Sequence, residues 1–197
     1  MPRPSVREQL VEAAAECFEE RGFNAIGVQE ITRAAGVPKG SFYNHFVSKE
    51  ALALEVMRRY GTARRMEMLE DGTLAPAARL RAHFRFLADD LERFRFSRGC
   101  LFGNFGAELS TQSDEVRGHV DAALGQWAVS VAAVLREARA DGTLKGALDP
   151  EPLAGFLVNA WEGAALRAKV TRDGRPMDDF FALFDSLFVP AADGADG

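Results

Sequence analysis

Apolar residues recur at helical intervals along nearly the whole of this chain. Val6, Leu10, Ala14 and Phe18 follow one another at steps of four, and a similar stripe returns in residues 80–94. Such spacing places the apolar side chains on one face of a helix. No segment alternates apolar and polar residues over the length of a strand. The pattern therefore predicts an all-α fold, with glycines and prolines at helix ends and starts.

Length and apolar content limit the class of protein. The 197 residues suit one domain, or one domain and a small appendage. The longest nearly unbroken apolar run, residues 127–135, is far shorter than the roughly 20 residues that a membrane span requires. The N-terminus lacks a secretory pattern, and two cysteines cannot form a disulfide framework in a chain of this length. We expect a cytoplasmic protein with no membrane partner.

Charge is distributed unevenly between the two parts of the chain. The net charge is −5, and all of this excess lies after residue 49, because residues 1–49 carry six basic and six acidic side chains. Residues 32–49 contain Arg33, Lys39, His45 and Lys49 and no acidic residue. An acidic protein would repel nucleic acid as a whole. The sequence nevertheless predicts one local cationic surface.

That cationic segment has the pattern of two short helices joined by a tight turn. Helical spacing predicts one helix over residues 28–35 and a second over about residues 39–46, while Gly36 between them suits a left-handed turn. This is the arrangement of a helix-turn-helix, whose second helix enters the major groove of DNA. With Phe42 and Phe46 turned inward, the outer side presents hydrogen-bond donors and no acid: Lys39, Ser41, Tyr43, Asn44 and His45. The alternative is two helices of an all-α core with a solvated polar face.

The segment RGFNAIGVQEITRAAGVPKGSFYNHFVSKEAL, after an amphipathic N-terminal helix, resembles the DNA-binding domain of TetR-family transcriptional regulators. The resemblance implies that Lys39, Ser41 and Tyr43 contact bases or nearby phosphates of a palindromic operator. It also implies that His45 and Lys49 hold the DNA backbone and that Gln29 and Thr32 lie near phosphates. Two residues depart from the family pattern. Gly27 replaces a capping Ser or Thr, which weakens the cap of the first helix of the pair, and Pro38 replaces a Ser at the start of the second.

The resemblance also implies an architecture of about nine helices. Residues 1–48 would form a three-helix DNA-binding domain, residues 49–190 a larger helical domain that binds an effector and dimerises, and residues 191–197 a disordered tail. A long fourth helix would cover about residues 49–69. The last two helices, about residues 153–171 and 177–188, would pair with those of a second copy to form a homodimer. Their predicted interface residues are Phe156, Leu157, Ala160, Ala164, Phe180, Phe184 and Leu187, although a monomer core would use the same residues.

Cys100 is the candidate sensor of an effector. It follows Arg98 and Gly99 and opens an apparent helix, and both a helix N-terminus and nearby arginines favour a thiolate. RGCLFGNFGAELS and WEGAALRAKVTRD resemble the TetR subgroup that includes a repressor of N-ethylmaleimide reductase, in which a cysteine senses electrophiles. That resemblance implies a sensing role for Cys100 and a supporting role for Lys169. The predicted pocket walls are Phe84, Phe102, Asn104, Phe105, Trp127 and Trp161.

Three alternatives accompany this hypothesis. In the first alternative, Cys100 is a small apolar residue without cysteine chemistry, and the effector binds non-covalently in a pocket. An enzyme is a second class, but GNFG at residues 103–106 is too short for a phosphate loop, and His45, His83 and His119 give no metal-ligand spacing with the two cysteines. We therefore expect no cofactor, no metal and no catalysis. A non-specific DNA-binding protein is disfavoured by the negative net charge.

Overall fold

The structure is a computed structural model that describes residues 4–189, and it is helical throughout that range. It contains nine α-helices and one 3₁₀ helix, Met66–Glu70. The helices are α1 (Val6–Arg21), α2 (Val28–Ala34), α3 (Lys39–Tyr43), α4 (Lys49–Ala63), α5 (Pro76–Arg93), α6 (Leu101–Leu109), α7 (Asp114–Ala140), α8 (Pro150–Thr171) and α9 (Arg175–Ser186). The all-α prediction is confirmed. The predicted disordered tail, residues 191–197, lies outside the described residues.

The chain forms two compact units, and each is built from separate stretches of sequence. The N-terminal unit contains the residues up to Arg64 together with Ser97–Ala123, and the C-terminal unit contains Arg65–Phe96 together with the residues from Leu124 onward. Helix α6 and the first part of α7 therefore belong to the same compact body as α2 and α3. The predicted functional boundary at residues 48 and 49 stays a prediction. None of the helices within residues 4–189 combines the length and apolar character needed to cross a bilayer.

Helix α1 is the central element of the N-terminal unit. It starts with a capping box, in which the Ser5 hydroxyl accepts from the Glu8 N–H and the Glu8 carboxylate accepts from the Ser5 N–H at 2.7 Å. Its buried face includes Leu10, Val11 and Phe18 and contacts α2, α4 and α6. These contacts bury the apolar stripe that the sequence predicts.

Two helices, α3 and α4, end well before the residue that the sequence predicts. Helix α4 stops at Ala63 instead of residue 69, because Arg65 adopts a left-handed conformation (φ 52°) and the chain continues as the 3₁₀ helix. Helix α3 stops at Tyr43 instead of residue 46. The N–H groups of His45 and Phe46 both donate to the Phe42 carbonyl, so the last turn tightens and the regular helix ends.

The core of the C-terminal unit is an aromatic cluster around Phe84. The ring centroids of Trp127, Trp161, Phe180 and Phe184 lie 5.0 to 5.8 Å from that of Phe84. Aromatic pairs at these separations add to the stabilisation that burial alone provides. The cluster joins α5, α7, α8 and α9 into one body.

A carboxylate in α4 is the centre of a charge network in the N-terminal unit. Glu55 accepts from the guanidinium of Arg7 in α1 at 3.2 Å and from that of Arg58 at 2.6 Å, and Arg59 lies 3.5 Å away. The hydrogen bond from Arg7, opposed by partial burial and assisted by Arg58, lowers the pKa of Glu55 from 4.5 to about 2. Glu55 thus fastens α1 to α4 while it is ionised.

We expect Glu55→Gln to lower the free energy of unfolding by about 1 kcal/mol at pH 7, a value discounted for solvent screening. Because the folded pKa is depressed, this stabilisation is present above the unfolded value of 4.5 and is lost as the pH falls towards 2. Urea unfolding at several pH values measures the difference. Glu12→Gln, on the exposed side of α1, is the matched control. A deficit that stays constant from pH 7 to pH 2.5 would contradict the assignment.

Candidate nucleic-acid interface and sensor region

Helices α2 and α3 are joined by a turn of the helix-turn-helix type. Gly36 takes the left-handed conformation (φ 68°) that the sequence predicts, and the Val37 N–H donates to the Thr32 carbonyl. Ile31 from α2 and Phe42 from α3 are fully buried and fix the angle between the two short helices. Since Pro38 at φ −60° precedes α3, the substitution of Pro for the family's Ser leaves the start of this helix intact.

The weak cap of α2 is compensated by a carboxylate. The Glu30 side chain accepts from the N–H of Gly27 at 2.9 Å and pairs with the guanidinium of Arg21 at 2.8 Å. The hydrogen bond from the Gly27 backbone, and then that from Arg21, lowers the pKa of the Glu30 carboxyl. The first turn of α2 therefore has a partner for its backbone although Gly27 offers no side chain.

Most of the predicted DNA-contacting side chains are exposed to solvent, and we call these residues together the α3 surface. Tyr43 is 61% exposed. Ser41 is half-buried, and the other members are exposed: Gln29, Lys39, Asn44 and His45. Helix α3 has no acidic residue in its first turn, so nothing there opposes a phosphate. The surface presents ammonium, hydroxyl, amide and imidazole groups to solvent.

The position of Thr32 does not support its predicted role. Only 2% of the residue is exposed, and its hydroxyl donates to the Gln29 carbonyl at 3.1 Å. A side chain enclosed in this way does not reach a phosphate. Its backbone carbonyl instead accepts from Val37 in the turn.

Lys49 also makes hydrogen bonds within the protein. Its Nζ donates to the carbonyls of Phe23 at 3.0 Å and Ile26 at 2.8 Å, and it lies 3.9 Å from the centroid of the Phe23 ring. Burial lowers the pKa of Lys49, and the negative charge of Glu108 opposes this effect. The ammonium group holds the loop between α1 and α2, a role that the sequence did not indicate, and its contact with the DNA backbone stays a prediction.

Cys100 occupies the N-cap position of α6, as the sequence predicts, and is half-buried. The hydroxyl of Tyr60 in α4 lies within hydrogen-bonding reach of the Cys100 thiol and of the Leu101 N–H. Burial, and then the neighbouring Cys100, raises the pKa of Tyr60 well above its usual value, while Arg64 opposes the shift. A neutral phenol therefore faces the sulfur and can donate a hydrogen bond to it.

The other predicted sensor residues of the N-terminal unit have structural roles. Arg98 pairs with Glu19 at 2.7 Å and with Glu20 at 3.2 Å. These carboxylates offset the positive charge of Arg98, which the sequence analysis expects to favour a thiolate at Cys100. Asn104 donates from Nδ2 to the Arg98 carbonyl at 2.9 Å. Phe105 is fully buried against Phe18 and Phe23 and is a core residue instead of a pocket wall. Phe102 packs edge-on against the Tyr60 ring, with the centroids 5.3 Å apart.

The remaining predicted sensor residues belong to the C-terminal unit. Phe84, Trp127 and Trp161 meet in the aromatic cluster, with Trp127 and Trp161 each within 6 Å of the Phe84 ring. The indole N–H of Trp127 is buried and has no acceptor among the described residues. Lys169 lies half-buried on α8. Its association with Cys100 stays a prediction.

All seven predicted dimer residues line one apolar groove along α8 and α9. The groove has a volume of about 390 Å³. Phe156 is 54% exposed and Leu183, which the sequence reasoning missed, is 57% exposed. Leu157, Phe180 and Phe184 are largely enclosed within the unit itself, so they form the floor of the groove.

Comparison with known proteins decides the family. The family description "Tetracyclin repressor-like, C-terminal domain" matches residues 76–184, and "Bacterial regulatory proteins, tetR family" matches residues 10–56. The chain belongs to the TetR family of transcriptional regulators. Because members of this family are regulators and not enzymes, the prediction of no catalysis is confirmed. The described residues hold no cluster of side chains suited to a metal ion.

Several TetR-family relatives match over nearly the full chain. It is 38% identical to the transcriptional repressor DhaR of Mycobacterium sp. strain GP1, over 98% of this chain and 97% of that protein. It is 40% identical to the transcriptional regulator AcuR of Cereibacter sphaeroides, over 92% and 84%. The Escherichia coli repressor NemR is 30% identical over 94% and 95%, which fits the subgroup that the sequence suggests.

A solved structure confirms the arrangement of a helix-turn-helix followed by a helical C-terminal domain. The crystal structure of a TetR regulatory protein from Rhodobacter sphaeroides superposes with a TM-score of 0.87 at 39% identity, over 93% of this chain and 99% of that one. Reduced NemR from Escherichia coli gives a TM-score of 0.81 at 29% identity, over 95% and 98%.

Sequence reasoning missed two side chains of this region, Tyr60 and Glu108. Tyr60 sits on α4, forty residues before the cysteine that it contacts. Glu108 is the one charged residue of α6, a mainly apolar helix. That isolation was a signal for a specific partner, since a charge on an apolar helix is rarely left without one.

We expect Lys49→Met to lower the free energy of unfolding by about 1 to 3 kcal/mol, because two loop carbonyls lose their donor. The salt dependence of DNA binding should not change, since the ammonium group faces the protein. Thermal unfolding and binding at several salt concentrations measure the two effects. A reduction of the salt slope by about one, with normal stability, would restore Lys49 as a phosphate contact.

Proposed function

We propose that this protein is a homodimeric transcriptional repressor in the cytoplasm that binds a palindromic operator and is released by a small-molecule or electrophilic effector acting near Cys100. The observation that carries the proposal is the exposed, donor-rich and acid-free α3 surface on an otherwise acidic chain. Family membership supports DNA binding as the function of that surface.

The α3 surface suits both kinds of contact that specific recognition needs. The ammonium of Lys39 is an exposed cation for phosphate, while Tyr43 and Asn44 offer a hydroxyl and an amide to base edges or phosphates. Ser41, His45 and Gln29 are its other members. Helix α3 has only five residues, so one copy makes few base contacts. Two copies on successive major grooves provide the affinity and specificity that one cannot.

The groove along α8 and α9 supports dimerisation. Phe156 and Leu183 expose more than half of their apolar surface at its edge, and Ala160 and Ala164 permit close helix contact. Burial of this surface by the same groove of a second copy would remove it from water. The interface would contain Phe156, Leu157, Ala160, Ala164, Phe180, Phe184 and Leu187, with Leu183 as an addition.

The environment of Cys100 supports a covalent sensor. A thiolate at the N-cap of α6 is favoured by the helix N-terminus and by the hydrogen bond that Tyr60 can donate. With an electrophile such as a maleimide, the sulfur of Cys100 would form a bond to one carbon of the alkene. The adjacent carbon would then take a proton from water. The added group would disturb the packing of Tyr60 against Phe102 of α6 and would favour a conformation with lower operator affinity.

A purely non-covalent effector is the second candidate. The buried indole N–H of Trp127, which lacks an acceptor within residues 4–189, is a donor that a ligand with a carbonyl or carboxylate can satisfy. Phe84 and Trp161 beside it would contribute apolar walls. Phe102, Asn104 and Lys169 are further candidates for contact with an effector.

We expect Lys39→Ala to weaken binding to an operator duplex and to a random duplex by similar factors and to reduce the salt slope by about one. Tyr43→Ala should weaken operator binding far more than random binding if the tyrosine reads bases. Fluorescence anisotropy measures the affinity of each variant for both duplexes. Arg139→Ala, at an exposed position of α7, is the control for the loss of one positive charge. Wild-type affinity in both α3 variants would refute DNA binding through this surface.

We expect N-ethylmaleimide to release the operator from the parent protein and from Cys17→Ser, but not from Cys100→Ser. Burial raises the pKa of the Cys17 thiol and so disfavours its reactive thiolate, which makes Cys17→Ser a matched control. Operator release is followed by gel shift and the modified residue by mass spectrometry. If Cys100→Ser responds as well as the parent protein, the covalent sensor is wrong and the non-covalent pocket remains.

A further inference from the structure

Glu108 reaches from α6 to the loop that connects α1 and α2. Its two carboxylate oxygens accept from the backbone N–H groups of Phe23 at 3.2 Å and Asn24 at 2.8 Å. Hydrogen bonds to an ionised acceptor are the stronger kind. This loop, residues 22–27, ends directly before α2, which is the first helix of the helix-turn-helix.

Gly22 makes room for that carboxylate. A Cβ at this position would lie 2.4 Å from Glu108 Oε1, and the backbone has a φ of +83° that side chains rarely permit. The loop therefore has both the conformation and the open space that the Glu108 side chain requires.

Opposite charges hold the loop from two sides. Glu108 binds its N–H groups, while Lys49 of α4 donates to the carbonyls of Phe23 and Ile26. The attraction between the two side chains acts to raise the pKa of Lys49 against the effect of burial. One residue of the loop, Phe23, thus has both of its backbone polar groups bound by charged side chains.

The other end of the α6 segment is attached to α1. Arg98, three residues before α6, pairs with Glu19 and Glu20 in the last turns of α1. Between these ends, Phe105 lies against Phe18 and Phe23. The segment is therefore fixed to α1 and its following loop by charge at both ends and by aromatic contact in the middle.

We propose that Glu108 is a positioning residue for operator recognition, which sets the start of α2 and through it the placement of α3. This inference goes beyond the proposed function, since it assigns DNA affinity to a side chain that does not touch DNA. Removal of a carboxylate would by itself strengthen DNA binding by reducing repulsion of phosphate. The positioning role requires the opposite result, a loss of DNA affinity when the carboxylate is removed.

Glu108→Gln is the decisive variant. Glutamine keeps one acceptor oxygen but turns an NH₂ donor towards the second loop N–H, so at least one of the two hydrogen bonds is lost. Glu115→Gln is the matched control, because it removes an equal charge from an exposed position of α7 in the same unit. Affinity is measured for a duplex selected by the protein from a random library and for a random duplex of the same length, well below the thermal transition of each variant.

We expect Glu108→Gln to bind the selected duplex about tenfold more weakly or worse, with little change on the random duplex. Glu115→Gln should bind both at least as tightly as the parent protein. Hydrogen exchange at the amides of Phe23 and Asn24 should accelerate in Glu108→Gln alone. The proposal would be overturned if Glu108→Gln bound the selected duplex as tightly as Glu115→Gln does, or if it lost affinity equally for both duplexes.

Gly22→Ala gives a second route to the same contact. The added methyl displaces the carboxylate, so this variant should also lose affinity for the selected duplex. The double variant Gly22→Ala/Glu108→Gln should bind that duplex no more weakly than the single variant with the lower affinity. Additive losses would show that the two residues act separately and would overturn the proposal. If the protein selects no duplex at all, the proposed function fails, while amide exchange still tests whether Glu108 holds the loop.

Discussion

The aromatic contact of Phe105 with Phe18 and Phe23 is the interaction on which the arrangement of the N-terminal unit depends. The three ring centroids lie 5.5 to 6.0 Å from one another, and Phe18 and Phe105 are fully enclosed. Burial of rings of this size is worth several kcal/mol, about 3 to 5 by analogy with truncation of core aromatics. Because Phe105 comes from residues far along the chain, this contact attaches α6 to the DNA-binding helices. The roles proposed for Cys100 and Glu108 both depend on this attachment.

Lysines of the cationic segment show how burial changes the use of a charge. Lys39 and Lys49 both lie in the stretch of sequence without acidic residues, and by composition they are equivalent. Lys39 is exposed on α3, whereas Lys49 donates to two backbone carbonyls. An ammonium that is already coordinated by the protein releases few counterions when DNA binds. Counting basic residues therefore overstates the electrostatic part of DNA recognition for this chain.

Helical periodicity was sufficient to predict the class of fold, and the family resemblance was sufficient for the order of its helices. Side-chain direction within short helices was not predictable in the same way. Thr32 lies one position from the exposed Arg33, and only the packing of α2 decides that its hydroxyl turns inward. The end of α4 depends on one left-handed residue, Arg65, which no propensity scale favours. Glu108 and Tyr60 were missed because their partners are distant in sequence, and periodicity reports only local spacing.

Helix α6 is short enough to act as a rigid connection between two sites. It starts after Cys100 and carries Glu108 near its end, a separation of eight residues or about 12 Å along a helix. A change at the sulfur that moves this helix as one body would also move the carboxylate. The loop before α2 would be affected by such a shift, since the Glu108 carboxylate lies against Gly22 and accepts from the N–H groups of Phe23 and Asn24. Each tenfold change in operator affinity needs only about 1.4 kcal/mol of difference between the two states. That is within the strength of one charged hydrogen bond, so loss of a single contact to Phe23 or Asn24 would be enough for the proposed coupling.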